Sequence, residues 1–419
     1  MARRVRTHRL PGGALPLLAL CIAAAASCGR SDPTTWTIDV RQTESPAGPN
    51  SSEPQLSMSN HGVLLSWIER AGTNTTLKFS EQSGSGSWTA PVTAASGQGW
   101  FLSYADVPSV MRKNDGTLVA QWLRITDART EGYDLLLSYS KDNGKTWAAP
   151  FTPHHDGTRF QHGFASLLEL PGNGLGVIWL DGRNSEFRDE DPTSGSMTLR
   201  YAAFDSSWKQ TVDTEIDHNV CECCSTAAVA TADGILAAFR DHTEKEIRDI
   251  AVSRLENGTW TASTTVHDDN WEIFACPVNG PALDARGRRA AVAWFTAKGD
   301  QGQAYAAFSP DAGRTWGMPI RLDEEGSTGR VGIRLLNDDT AVATWVELSK
   351  GRSDLRARFI DASGARSAPV TVAPVQGGRA SGFPRVARQG DDLVFAWTAS
   401  ADQGGPDALQ VYTAVAALP

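Results

Sequence analysis

A short apolar strand ending in a large aromatic residue occurs seven times: Leu64-Leu65-Ser66-Trp67, Val119-Ala120-Gln121-Trp122, Gly176-Val177-Ile178-Trp179, Leu236-Ala237-Ala238-Phe239, Ala291-Val292-Ala293-Trp294, Val342-Ala343-Thr344-Trp345 and Val394-Phe395-Ala396-Trp397. The copies lie roughly 51 to 60 residues apart, a period that marks a propeller or a solenoid. A repeat this short cannot bury its apolar faces alone and must stack on its neighbours. An earlier short strand and a polar turn precede each copy, as in Ser109–Arg112 before Asn114-Asp115-Gly116 and Pro384–Ala387 before Gly390-Asp391. A third strand follows, as in Leu135–Tyr139 and Ala304–Phe308, and then a tight turn and a fourth. Strands A, B, C and D of this kind make one blade, so the expected fold is an all-β, seven-bladed propeller. Seven A–B–C sets are present but only six D strands follow them. Trp36-Thr37-Ile38-Asp39-Val40 is similar to Trp88-Thr89-Ala90-Pro91-Val92, so the N-terminal strand is expected to complete the last blade and close the ring over residues 36–419.

The N-terminus carries four arginines and no acid before an apolar run, Ala14–Ala26. That run is too short for a permanent bilayer span and has the length of a signal-peptide core. It ends in Ala25-Ala26-Ser27-Cys28, and small residues just before a cysteine resemble the bacterial lipobox. Residues 1–27 are thus read as a lipoprotein-type signal peptide, Cys28 as the lipid attachment site and 28–35 as a linker. Gly29 follows the cysteine; by resemblance to enterobacterial sorting, this implies an outer-membrane lipoprotein facing the periplasm or the exterior. Loss of four arginines takes the formal charge from −9 to about −13. An acidic chain without a basic block is a poor nucleic-acid binder, and contact with the membrane is expected only through the lipid.

Two turns, Ser140-Lys141-Asp142-Asn143-Gly144-Lys145-Thr146-Trp147 and Ser309-Pro310-Asp311-Ala312-Gly313-Arg314-Thr315-Trp316, match the Asp-box pattern Ser-x-Asp-x-Gly-x-Thr-Trp. The aspartate accepts bonds from turn amides, the glycine permits positive φ, and the tryptophan fills a gap between sheets. Asp142 and Asp311 are therefore read as structural. Degenerate copies end at Trp88, Trp208 and Trp260, and another lies at Asp361–Arg366. With the lipoprotein signal, these turns make the mature chain similar to bacterial sialidase-like (BNR-repeat) propeller lipoproteins over its whole length. The resemblance implies six blades as the alternative count, an arginine triad for a substrate carboxylate, an aspartate acid/base, and a tyrosine nucleophile assisted by glutamate. If the chain is catalytic, it implies an exo-sialidase-like glycoside hydrolase. The Arg-Ile-Pro motif that usually supplies the first arginine is absent, and none of the six tyrosines matches the nucleophile's context. Tyr139, Tyr201, Tyr305 and Tyr412 lie in apolar C strands as packing residues. No sialidase catalytic residue carries over.

In a propeller the D–A and B–C loops share one face. The D–A loop into blade three holds His154-His155-Asp156-Gly157 and His162. The loop into blade four holds Asp217-His218-Asn219-Val220-Cys221-Glu222-Cys223-Cys224, and that into blade five begins at Cys276. Asp181-Gly182-Arg183, Arg240-Asp241-His242 and Arg248-Asp249 add charge from B–C loops. An arginine beside an acid can be held rigid while it presents a fork to an anion. Arg183, Arg240, Arg248 and Arg330 are the candidate ligands for an anionic glycan or other small anion, with Arg352 and Arg379 able to approach from the far side. Asp156, Asp181 and Asp241 are the candidate acids, with a turn-forming role open for Asp156. Three readings remain open for Cys221, Cys223, Cys224 and Cys276: two disulfides in an oxidising compartment, a zinc or copper site with His162, His218 or His242 as nitrogen donor, and a redox pair from Cys221 and Cys224. The function expected is that of an envelope-anchored glycan-directed propeller acting near blades three to five, with a metal- or thiol-dependent binding propeller and a non-catalytic scaffold as alternatives.

Overall fold

Along the repeated segments apolar side chains fall on both faces of short strands, so each sheet must be covered on two sides. The computed structural model describes residues 1–2, 35–83, 86–127, 129, 131–186, 194–401 and 408–419. Residues 33–419 form one compact unit, separate from residues 1–32. Cys28 and nearly all of the signal segment lie outside the described residues. Among those described, no helix is long and apolar enough to cross a membrane.

The larger unit is a seven-bladed β-propeller of antiparallel sheets. The A strands are Ser51–Ser59, Ser109–Arg112, His162–Leu170, Ala227–Thr231, Ala282–Arg286, Ser327–Leu335 and Arg385–Gln389. Their B partners are Gly62–Ala71, Leu118–Asp127, Gly174–Glu186, Gly234–Arg240, Arg289–Thr296, Thr340–Ser349 and Asp392–Ser400. All seven A strands surround one central channel of about 930 Å³. Blade two has three strands. Its outer segment keeps a bridge between Phe151 and Leu137, directly after Pro150, which lacks the amide a ladder needs.

The repeated aromatics lie between blades. Trp67, Trp179, Trp294, Trp345 and Phe239 are at most 1% exposed. Seven apolar clusters each join two adjacent blades; the last sets Leu56, Val63, Leu65 and Trp67 of blade one against Ala387, Val394, Ala396 and Val411 of blade seven. The ring closes as expected, but with different residues. Arg41–Thr43, not Trp36–Val40, pairs with the C strand of blade seven, Arg41 opposite Val415 and Thr43 opposite Thr413. Trp36 packs edge-on against Phe359 at 5.0 Å, so it fills the gap before the strand as a box tryptophan does.

The two Ser-x-Asp-x-Gly-x-Thr-Trp turns close with the same bonds. Asp142 accepts from the Thr146 amide at 2.9 Å and its hydroxyl at 2.7 Å; Asp311 accepts from the Thr315 amide at 2.8 Å and its hydroxyl at 2.7 Å. The Thr146 and Ser140 hydroxyls hold Asp142 down at about 2. Both aspartates thus serve their turns.

Candidate functional site

The loop into blade three gathers a charged cluster around His162, the first residue of strand A. Its Nε2 lies 3.1 Å from Asp156 Oδ2 and 3.8 Å from Asp181 Oδ1. Arg183 forks onto Asp181 from Nε at 2.7 Å and Nη2 at 2.8 Å. The Trp179 indole also donates to Asp181 Oδ2, at 2.8 Å. Asp181 thereby repeats an arrangement of two other blades, where Trp67 donates to Glu69 and Trp345 to Glu347, each at 2.9 Å. Burial raises the Asp156 carboxyl, but bonds from His162 and Thr158 outweigh it and hold the group below the usual range. Asp181 is likewise lowered, the Arg183 bonds and the His162 charge overcoming burial. Asp156 and Asp181, expected as acids, lie here against a histidine and an arginine. Arg183 is correspondingly engaged by its own carboxylate.

His154 stacks on His162 with centroids 3.8 Å apart and planes 7° apart. Burial and the His162 charge push His154 down to about 3, while Asp156 and Asp181 raise His162 against its burial. A neutral imidazole therefore lies on a more basic one. Donor atoms of Asp134, His154 and His162 fall within 4.8 Å of one another. Parallel stacked rings, however, direct their lone pairs along separate planes, so they do not converge on one ion. His162 belongs to this cluster and not to the cysteines.

The loops into blades four and five bring all four cysteines together, with Cys221 bonded to Cys224 and Cys223 to Cys276. In this state they offer no thiolate to zinc or copper. His218 is outside the cluster, its side chain 87% exposed beside Asp217. Arg248 is buried and held by Glu222 Oε2 at 2.7 Å and Glu246 Oε2 at 3.1 Å. Arg240 is 1% exposed and donates to the carbonyls of Asn279, Arg248 and Phe295 at 2.9, 2.5 and 2.7 Å. Its guanidinium lies over Trp271. Arg240, expected as an anion ligand, ties blades four and five together through these bonds, and Arg248, expected in the same role, is paired with two carboxylates. Asp241 differs: burial, reinforced by the Asp217 charge, raises it to about 6, so it retains the character of an acid.

Free cationic character appears across the ring, where the loops into blades two and seven meet strand A of blade six. Arg330 is 8% exposed. Its guanidinium lies 5.7 Å from the Tyr104 ring and 5.8 Å from Phe383 and donates to the Ser381 hydroxyl. Arg379 approaches the same tyrosine at 5.9 Å. Arg385, lining the channel, approaches Phe383 at 5.7 Å. Among the described residues none of these three arginines has a carboxylate within ion-pair distance. Burial lowers Arg330, and burial with the Arg334 charge brings Arg385 to about 10. Arg330 has φ +56, beside register shifts in its ladder, and Glu53 and Phe164 hold φ +59 and +52 at like points of blades one and three. Each bulge turns a side chain out of its strand. Two carboxyls lie at the same level: burial raises Glu53 to about 7 despite Arg70, and Asp106 to about 7 despite bonds from the Phe164 amide and Tyr133. The sequence reading missed Tyr104, Glu53 and Asp106. Only their place just before or within strand A marked them.

A ring of seven antiparallel sheets around a central channel defines a seven-bladed β-propeller. No protein-family model matches the chain, and no curated protein does. Among solved structures, polysaccharide lyase Uly1 superposes with a TM-score of 0.53 at 9% identity, over 88% of this chain and 90% of that one. Phage phi92 endosialidase superposes with a TM-score of 0.50 at 9% identity, over 91% of this chain and 69% of that one. At such identities the likeness shows the shared propeller fold.

Proposed function

We propose that this protein is a cell-envelope propeller, tethered through a lipid on Cys28, that binds an anionic glycan at the axial end of its loop face. The reading rests on one observation: Arg330, buried and without a carboxylate partner among the described residues, lies beside the stacked Tyr104 and Phe383 rings, with Arg379 near the same tyrosine. A desolvated guanidinium is a strong partner for a carboxylate or sulfate, and aromatic rings suit the apolar faces of sugars. The two structural neighbours, a polysaccharide lyase and an endosialidase, support a carbohydrate ligand. On this reading the ligand sits nearer blades six, seven and two than blades three to five. Hydrolysis would call on a carboxylic acid protonated near neutral pH, for which Glu53, Asp106 and Asp241 have the right character.

Calorimetry with sialylated, uronate-containing and neutral oligosaccharides at fixed ionic strength tests the reading. Anionic glycans are expected to bind, and Arg330→Gln to weaken them by about 10–100-fold, the loss of a charged hydrogen bond. Equal affinity for neutral and anionic sugars, or undiminished binding by the variant, overturns it. Fluorogenic sialoside turnover tests the hydrolytic part, and membrane fractionation of Cys28→Ser tests the anchor.

A further inference from the structure

The four-sulfur cluster takes no part in the anion site. Cys221 and Cys224 are 1% and 2% exposed, Cys223 is half-buried and Cys276 is exposed. The sulfurs of Cys221, Cys223 and Cys224 all lie within 4.8 Å of one another, and the non-bonded pair Cys221 and Cys223 is 3.9 Å apart. Cys276 is joined to Cys223, so all four sulfurs share one small volume. Stapling loops needs two sulfurs at a time and does not require the two staples to touch. A tetrahedral site with metal–sulfur bonds of about 2.3 Å has sulfur–sulfur edges of about 3.8 Å, and the non-bonded Cys221–Cys223 pair already stands at such a separation. The two bonded pairs stand with Cα–Cα distances of 5.7 Å and 6.0 Å, so opening them leaves all four sulfurs on neighbouring backbone.

The surroundings fit a cluster that gains negative charge. Arg248 Nη1 lies 3.8 Å from Cys221 Sγ, and its Nε is buried without a partner. A thiolate cluster around a divalent ion carries net negative charge, which an adjacent guanidinium offsets. Glu222 on the same Nη1 and Glu246 on Nη2 hold Arg248 in place.

We propose that the reduced chain carries a tetrathiolate site for a soft cation of the zinc or copper(I) type, formed by Cys221, Cys223, Cys224 and Cys276, with the two disulfides as its oxidised form. Two molecules of a dithiol reductant reduce it: each gives two electrons and two protons to one disulfide and leaves as its own disulfide. Binding of a divalent ion then releases the four thiol protons. The exposed Cys223–Cys276 bond is the accessible starting point. Arg248 acts as a positioning residue through Cys221. This site is independent of the glycan reading.

Anaerobic reduction of the purified mature protein with dithiothreitol, removal of the reductant, and titration with Co(II) and then Zn(II) test it. Four new thiols are expected, with one Co(II) per chain showing the absorption of a tetrahedral cobalt thiolate, displaced by Zn(II). The near-ultraviolet dichroism of the tryptophans should persist, and the oxidised protein should bind neither ion at this site. Arg248→Met should keep four thiols and weaken Zn(II) by about 10–100-fold. A folded, reduced protein that takes up no Co(II) or Zn(II) overturns the proposal. So does loss of the tryptophan signal on reduction, or equal uptake when all four cysteines are replaced by serine.

Discussion

Arg240 holds a positive charge inside the protein without an ion pair among the described residues. Burial lowers its pKa to about 9, and three backbone carbonyls and the face of Trp271 stabilise the charge that remains. Replacement by methionine keeps the volume but leaves three carbonyls without a donor. Arg240→Met is expected to lower unfolding free energy by about 3–5 kcal/mol, measured by urea denaturation; parent-like stability would show that those carbonyls find other donors. Asp106 makes a different demand. Its folded pKa of about 7 lies above the unfolded value near 3.9, so the native state holds the proton more tightly. The stability it contributes is full below about pH 4 and is lost as pH rises through about 7. Asp106→Asn keeps the acceptor for the Phe164 amide and removes the titration. The variant should show a flatter stability profile between pH 4 and 7 and a gain at pH 8 on the order of a few kcal/mol. Parallel profiles for parent and variant would count against the assignment. Glu53 titrates in the same window, so a residual slope is expected.

At the scale of the element, the box turn is a packing device. Gly313 holds φ +84, and a Cβ there would come within 2.5 Å of Leu236 Cδ1 in the preceding blade. Gly364 holds φ +92 with nothing near it. Gly313→Ala should therefore cost about 1–3 kcal/mol more than Gly364→Ala, the first combining overpacking with backbone strain and the second strain alone. Thermal unfolding of the two variants gives the difference; equal shifts would mean that the turn does not seat against its neighbour. The strands were legible from sequence because the aromatic that ends each B strand is a core residue with one environment. Trp36 misled by five residues because a box tryptophan stands ahead of its strand and not in it. The site was far less legible. Arg183, Arg240 and Arg330 look alike in sequence, and what separates them is supplied by other segments: the Trp179–Asp181–Arg183 chain, the carbonyls of Asn279 and Phe295, and the Tyr104 and Phe383 rings. An acid close in sequence marks pairing for Arg183, which forks onto Asp181, but not for Arg240, which makes no ion pair with Asp241 among the described residues.

Over the whole molecule, seven inter-blade clusters form a closed chain, and the outer edge of blade seven is completed by a strand drawn from the other terminus. Removing residues up to Thr43 exposes the C strand of blade seven along Thr413–Val415 and takes Trp36 from Phe359. A lower Tm, by about 5 °C or more, is expected from losing that aromatic contact and its ladder, measured by calorimetry; an unchanged Tm would mean that the ring is held without its closing strand. The same pairing also governs when the molecule can mature. Arg41 has no ladder partner until Val415 exists, so the earliest strand of the chain is the last to be satisfied. A chain emerging N-terminus first must carry that segment unpaired through the appearance of every blade. The final docking step is thus set by a loop closure nearly as long as the polypeptide, which delays the native state and leaves the edge of Leu409–Ala417 open to foreign strands until Arg41–Thr43 docks.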